Sequence, residues 1–162
     1  MTKPSPSLSH VSPDGSARMV DVSGKAETLR TARAQGQIRM EMMALEAIRS
    51  QSIKKGDVLS VARVAGVMAA KRTADLIPLC HPLLLEDVQI DLTLDEALPG
   101  VRAVAQVRTN GRTGVEMEAI VGVTVALVTV YDMAKSVDRK MVIGDISLVE
   151  KTGGKIAEDF PR

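Results

Sequence analysis

The chain has 162 residues, 21 lysines and arginines against 20 aspartates and glutamates, and only 1% aromatic residues. This length predicts one domain that buries about 70% of its unfolded surface. The balanced charge gives no reason to expect a polyanionic partner, and the scarcity of aromatic side chains argues against nucleic-acid modules that stack bases.

Cys80 is the single cysteine, so no intrachain disulfide can form and a reducing, cytoplasmic compartment is expected. The N-terminal residues contain no apolar segment typical of a signal peptide. The longest apolar run, residues 119–130, is too short to span a bilayer, so we expect no membrane association. The few soft ligands, His10, His81 and Cys80, predict no metal site.

The first third of the chain begins with residues 1–18, which are rich in proline and serine and predict a mobile arm. The polar residues 26–34 suggest an ordered arm, and the alternation in residues 35–40 predicts a short strand. Residues 42–50 follow as a helix. Asp57 is a good N-cap for a second helix over residues 58–71.

That second helix is apolar nearly all round and contains many small residues, so it should pack closely against the fold or another subunit. Farther along, residues 88–94 and 101–108 alternate and flank a Pro-Gly pair, which predicts an antiparallel hairpin. Residues 115–137 predict a second long helix, and residues 141–149 a closing strand.

The order of these elements predicts an α+β, ferredoxin-like fold: a four-stranded antiparallel sheet with helices packed on one face. We divide the chain into the arm (1–18), a single catalytic domain (19–155) and a flexible tail (156–162). The apolar helices exceed what one such sheet can cover, so a symmetric homo-oligomer is expected.

Asp132 and Lys135 lie three residues apart on the second long helix and share a face. They fit either a surface ion pair of under about 1 kcal/mol or an acid–base pair in which the carboxylate orients the lysine. Glu116 and Glu118 begin the same helix, where acidic groups also complement the helix dipole. Glu118 and Asp132 are fourteen residues apart, or about 21 Å along the axis, so a site that uses both must be shared or long.

Two basic segments could hold phosphate. Lys55 lies in a Lys-Lys-Gly-Asp turn before a helix N-terminus. This turn could bind phosphate through its lysines and free backbone N–H groups, or it could be an ordinary solvated turn. Lys151 and the Gly-Gly-Lys at 153–155 could fold a cationic tail over an anion, or form a disordered terminus. Adjacent residues of an extended segment point opposite ways, so Cys80 and His81 do not predict a thiolate–imidazole dyad.

The two prolines of Pro78-Leu79-Cys80-His81-Pro82 hold an imidazole on a stiff segment, as functional loops require, although the pentapeptide also fits a helix-terminating turn with a satisfied histidine. Residues 69–82, which contain it, resemble the signature of cyclic pyranopterin monophosphate synthase, the second enzyme of molybdenum cofactor biosynthesis. Further stretches resemble the same family in the same order and extend the resemblance over residues 19–155: Met19-Val20-Asp21-Val22-Ser23, Lys55-Gly56-Asp57-Val58, Thr113-Gly114-Val115-Glu116-Met117-Glu118-Ala119, Tyr131-Asp132-Met133-Ala134-Lys135 and Gly153-Gly154-Lys155.

This resemblance implies a ferredoxin-like fold and a homohexamer built as a trimer of dimers. It implies a lyase that rearranges a cyclised GTP triphosphate to cyclic pyranopterin monophosphate and releases diphosphate, without redox change or cofactor. The catalytic residues would be Asp132 and Lys135. The substrate-binding residues would be Leu79, Cys80, His81, Met117, Glu118, Glu116, Lys55, Lys71, Arg30 and Lys151.

Two other classes remain open from the sequence. A non-catalytic oligomeric protein that binds a nucleotide or pterin would use the same residues without turnover. A ferredoxin-like RNA-binding module is disfavoured because aromatic platforms are missing.

Overall fold

The computed structural model describes residues 15–154 and the backbone of residues 158–159. The elements in chain order are β1 (Thr28–Arg39), α1 (Met42–Arg49), α2 (Val58–Ala70), α3 (Thr73–Leu76), β2 (Asp87–Asp95), β3 (Gly100–Gly111), α4 (Glu116–Ala134), β4 (Val142–Thr152) and β5 (Glu158–Asp159). Residues 1–14, 155–157 and 160–162, which include most of the predicted arm and tail, lie outside the described residues.

The four long strands form one antiparallel sheet in the order β2-β3-β1-β4, and the two-residue β5 extends it beyond β4. This order is the ferredoxin-like one, so the predicted α+β fold is confirmed. Alternate residues of the two central strands are buried under the helices, including Ala32, Ala34, Ala103 and Ala105. Small side chains at these positions let the helices lie close to the sheet.

Glycines mark where α4 meets its neighbours. A Cβ on Gly36 of β1 would lie 2.9 Å from side-chain atoms of Val123 and Leu127 on α4. A Cβ on Gly66 of α2 would lie 2.9 Å from the carbonyl oxygen of Gly122 on α4. The small-residue face of α2 therefore packs on α4 within the chain, while the opposite face of α2 stays exposed.

The first strand is longer than the sequence predicts. Residues 28–34, within the segment taken as an ordered arm, pair with β3 and belong to β1, so that prediction is wrong. Alanines have low strand preference, and the segment that buries Ala32 and Ala34 while it exposes Arg33 alternates without the large or β-branched apolar side chains that mark a strand. At the other end, β5 falls inside the predicted tail; the domain division itself stays a prediction.

Helix α4 lies across the sheet and is the core helix of the fold. It has 19 residues, and its length and composition would allow it to cross a membrane. However, 56% of the 18-residue apolar stretch of this helix is buried inside the fold. Ala119, Val123 and Leu127 are fully buried. Its apolar composition is therefore explained by packing against β1, β3 and α2.

Candidate active site

Asp132, near the C-terminal end of α4, is held between two lysines. Its Oδ1 lies 2.7 Å from Lys135 Nζ and its Oδ2 lies 2.7 Å from Lys55 Nζ, which also donates to the Asp132 carbonyl oxygen at 2.8 Å. The hydrogen bonds from Lys135 and then Lys55 lower the pKa of Asp132 to about 2. We call these three residues the lysine–aspartate cluster; at neutral pH its carboxylate is ionised.

The turn before α2 positions Lys55 for this contact. Gly56 adopts a positive φ of 99°, which suits glycine. Asp57 then caps α2 by accepting from the Ser60 backbone N–H at 3.0 Å, so the predicted N-cap is confirmed. All three side chains of the cluster are about half exposed, with Lys55 at 48%, Asp132 at 54% and Lys135 at 51%. They border a cavity of about 240 Å³, completed by Tyr131, Ser136 and Arg139.

The N-terminal end of α4 carries a different arrangement. The Glu118 side chain points inward, since the residue is only 5% exposed. Burial, assisted by the negative charge of Glu116, raises the pKa of Glu118 to about 7. Burial and these two carboxylates also raise the pKa of the Cys80 thiol, so Cys80 is kept as a thiol. A carboxyl group that titrates near neutrality is suited to donate or accept a proton.

His81 lies beside these groups and has a defined tautomer when neutral. Its Nε2 lies 2.7 Å from the Val20 carbonyl oxygen. A carbonyl only accepts, so Nε2 carries the hydrogen and Nδ1 is left as the acceptor. A cavity of about 300 Å³, here called the N-terminal cavity, brings together six of the predicted residues: Leu79, Cys80, His81, Glu116, Met117 and Glu118.

A basic region adjoins the N-terminal cavity. Lys151 Nζ forms an ion pair with Glu116 Oε1 at 2.7 Å. Arg30 donates from Nε to the Gly111 carbonyl oxygen at 3.1 Å and from Nη2 to the Arg112 carbonyl oxygen at 3.4 Å. These carbonyls fix the guanidinium without neutralising it. Arg30, Lys151, Arg112 and Lys25 line a cavity of about 530 Å³, large enough for several phosphate groups.

Lys71 lies on the other side of Glu118. It follows the last residue of α2 and lines a cavity of about 110 Å³ with His81 and Glu118 among its neighbours. Every predicted substrate-binding residue except Lys55 thus lies around the N-terminal end of α4. Lys55 lies with Asp132 and Lys135 at the other end, so one chain separates the predicted residues into two groups.

Some residues that line these cavities were not singled out from the sequence. Lys25 borders both the N-terminal cavity and the basic region, and Tyr131 and Arg139 border the cavity of the lysine–aspartate cluster. Lys25 lies just after the Met19–Ser23 motif, and this position could have indicated from the sequence that it belongs to the site. Across residues 15–154, no group of three His, Cys, Asp or Glu side chains is arranged to bind a metal ion.

The fold and these side chains define a class: an α+β protein with cationic cavities for an anionic small molecule and acid–base groups at both ends of its core helix. Comparison with known proteins specifies the family. Residues 19–154 match the MoaC family, so the chain belongs to it.

Two relatives are named cyclic pyranopterin monophosphate synthase. The protein of Methylobacterium sp. strain 4-46 is 59% identical over 149 residues, which are 92% of this chain and 93% of the relative. The protein of Methylobacterium nodulans is 58% identical over 150 residues, 93% of this chain and 94% of the relative. The resemblance inferred from the motifs is therefore confirmed.

Proposed function

We propose that the protein is a lyase that converts (8S)-3′,8-cyclo-7,8-dihydroguanosine 5′-triphosphate to cyclic pyranopterin monophosphate and releases diphosphate. Membership of the MoaC family makes the chain an enzyme of molybdenum cofactor biosynthesis that acts on a nucleotide-derived substrate. The observation that carries the specific reaction is the identity of 59% with a synthase of this name over nearly the whole chain.

The acid–base steps of the reaction are assigned to both ends of α4. Opening the purine-derived ring and reclosing it as a pterin requires protons to be given and taken in stages. Lys135, oriented by the ionised Asp132, is the proposed donor at one end. Glu118, with a pKa of about 7, and the free Nδ1 of His81 are the proposed exchanging groups at the other.

The phosphate chemistry is assigned to the cations. The cyclic phosphate forms when a sugar hydroxyl attacks the α-phosphorus and the bond to diphosphate breaks, so atoms balance without a further reactant. Positioning and charge neutralisation dominate such a step. The proposed contacts with the phosphates are Arg30 and Lys151 at the N-terminal end of α4, Lys71 beside Glu118, and Lys55 at the cluster. The walls around the substrate are completed by Leu79, Cys80, Met117 and Glu116.

We further propose that the active site is completed by a second copy of the chain, in a hexamer assembled as a trimer of dimers. Glu118 and Asp132 lie about 21 Å apart along one helix, which is too far for both to act on one atom of a substrate. The cluster residues are half exposed in the single chain, so a neighbouring subunit would supply the burial that acid–base lysines require. The exposed apolar residues Val61, Val64 and Met68 on α2 also support association.

We place the enzyme in the cytoplasm, where the lone Cys80 would remain reduced. The test of the whole proposal is incubation of the protein with the cyclised GTP, followed by detection of the pterin and of diphosphate. Formation of both in equal amounts is expected. Tight binding without either product would support the alternative of a non-catalytic nucleotide- or pterin-binding protein.

A further inference from the structure

The cavity beside the lysine–aspartate cluster holds more positive than negative charge. Lys55, Lys135 and Arg139 border it, and among the described residues that line it Asp132 is the only carboxylate. Both oxygens of Asp132 are already engaged, one by each lysine. Within residues 15–154, the Arg139 side chain forms no hydrogen bond or ion pair. The third cation therefore has no counter-ion in the described chain.

The neighbouring Asp138 does not neutralise Arg139. Its residue is buried, at 6% exposure, and its two oxygens accept from backbone N–H groups: Oδ2 from Glu41 at 2.9 Å and Oδ1 from Lys140 at 2.7 Å. These bonds tie the segment after α4 to the start of α1. The Asp138 carboxylate is thus used to hold the backbone.

The backbone of Arg139 itself is fixed at the edge of the cavity. The Tyr131 hydroxyl donates to the Arg139 carbonyl oxygen at 3.1 Å, and the anchored Asp138 and Lys140 flank it. Arg139 therefore combines an exposed, uncompensated guanidinium with a well-held main chain. Guanidinium groups bind phosphate through two parallel hydrogen bonds, and a fixed backbone reduces the entropy lost on binding.

We propose that Arg139 is a substrate-binding residue that contacts an anionic phosphate oxygen of the ligand held at the lysine–aspartate cluster. The identity of that ligand rests on the proposed function. Because a guanidinium stays protonated at all working pH values, Arg139 contributes affinity and takes no part in proton transfer. Its loss should raise KM and leave the pH dependence of kcat unchanged.

The test measures binding of inorganic diphosphate to the full chain by calorimetry, for the parent, Arg139→Ala, Arg139→Lys and Lys140→Ala. Lys140 is the matched control, because it is adjacent, exposed and cationic but does not line the cavity. Arg139→Ala should bind diphosphate about 10-fold or more weakly, the loss expected for one charge-assisted contact. The affinity of Arg139→Lys for diphosphate should lie between those of Arg139→Ala and the parent, and the affinity of Lys140→Ala should match that of the parent.

Three results would overturn the proposal: affinity of Arg139→Ala within twofold of the parent, an equal loss in Lys140→Ala, or no diphosphate binding by the parent. Steady-state kinetics with the cyclised GTP provide the second readout. If the parent forms no pterin, the proposed lyase activity fails, while the diphosphate affinities still decide whether Arg139 belongs to an anion site.

Discussion

Lys55 Nζ lies 2.7 Å from Asp132 Oδ2, although 77 residues separate the two in the chain. The contact joins the turn before α2 to the last turn of α4. An ion pair exposed to this extent stabilises a fold by about 0–1 kcal/mol, so stability alone is a weak reason for it. The same carboxylate also binds Lys135, and an arrangement of one carboxylate and two lysines is better suited to proton transfer and anion binding.

Replacing Lys135 with alanine should reduce kcat by about 10²–10⁴-fold, the usual effect of removing a positioned acid–base group. Its side chain is half exposed, so the melting temperature and the oligomeric state should stay those of the parent. Turnover of the cyclised GTP and a thermal melt provide the two measurements. Activity within a few-fold of the parent would remove Lys135 from the mechanism.

Lys55 and its neighbour Lys54 offer a matched pair. Lys55→Ala should weaken substrate binding by about 10-fold, because it removes a charge-assisted contact at the cluster. Lys54 does not line the cavity, so Lys54→Ala should bind like the parent. For the parent and both variants, we would measure KM for the substrate and the affinity for a substrate analogue that lacks the outer phosphates, and compare the two effects of each substitution. Equal effects of the two substitutions would show that Lys55 acts only through general surface charge.

Glu118 should make stability fall as pH rises. Its pKa is raised from 4.5 to about 7 in the folded chain, so between these values the folded state holds a proton that the unfolded state releases. The contribution to stability is complete below about pH 4.5 and is lost as pH rises through about 7. Melting temperatures at pH 5 and pH 8 should differ less in Glu118→Gln than in the parent. An unchanged difference would mean that Glu118 does not titrate in this range.

The contact between α2 and α4 should not tolerate a side chain at Gly66. A Cβ there would lie 2.9 Å from the Gly122 carbonyl oxygen, and backbone cannot yield as a side chain can. Gly66→Val should lower the free energy of unfolding by at least about 1–3 kcal/mol, measured in urea. Gly144→Val is the control, since a Cβ on Gly144 meets no atom of residues 15–154 within 4 Å. Similar losses in both variants would contradict close helix packing.

Mixing two inactive variants tests whether the site is shared between subunits. If Glu118 of one chain and Asp132 of another serve one site, then mixed oligomers of Glu118→Ala and Asp132→Ala contain some intact sites. Random pairing should restore up to about one site in four. Mass spectrometry would verify that mixed oligomers form. Absence of recovered activity in verified mixtures would place both residues in one chain's site.

Much of the fold could be predicted from periodicity and end signals. The alternation around Val88 and Val101 predicted the β2–β3 pair, and Asp57 fixed the start of α2 at the position observed. The start of β1 could not be found this way, because its buried residues are alanines whose burial depends on α4 crossing above them. Tertiary packing, not local preference, makes that segment a strand.

The candidate site was predictable in part, for a similar reason. The carboxylates of α4 and the segment 79–81 could be assigned from motifs, and the separation of Glu118 from Asp132 follows from helix geometry. The pairing of Lys55 with Asp132 depends on how α2 lies against α4. Lys25 and Arg139 lie in loops that carry no periodic signal, and Tyr131 lies on α4. The cavities that these three residues border form only when separate elements pack together.

The packing of α2 on α4 also determines which charges act at the two ends of the core helix. Lys55 just before α2 meets the end of α4, whereas Ala70 at the end of α2 lies near Gly122 in the first half of α4. The helices therefore run antiparallel, and where Lys55 meets Asp132 the partial positive charge at the start of α2 lies beside the partial negative charge at the end of α4, about half an elementary charge each. At this end of the pair the two partial charges oppose each other. The electrostatic potential that a ligand meets is then determined mainly by side chains, so substitutions there can tune it without remaking the helices.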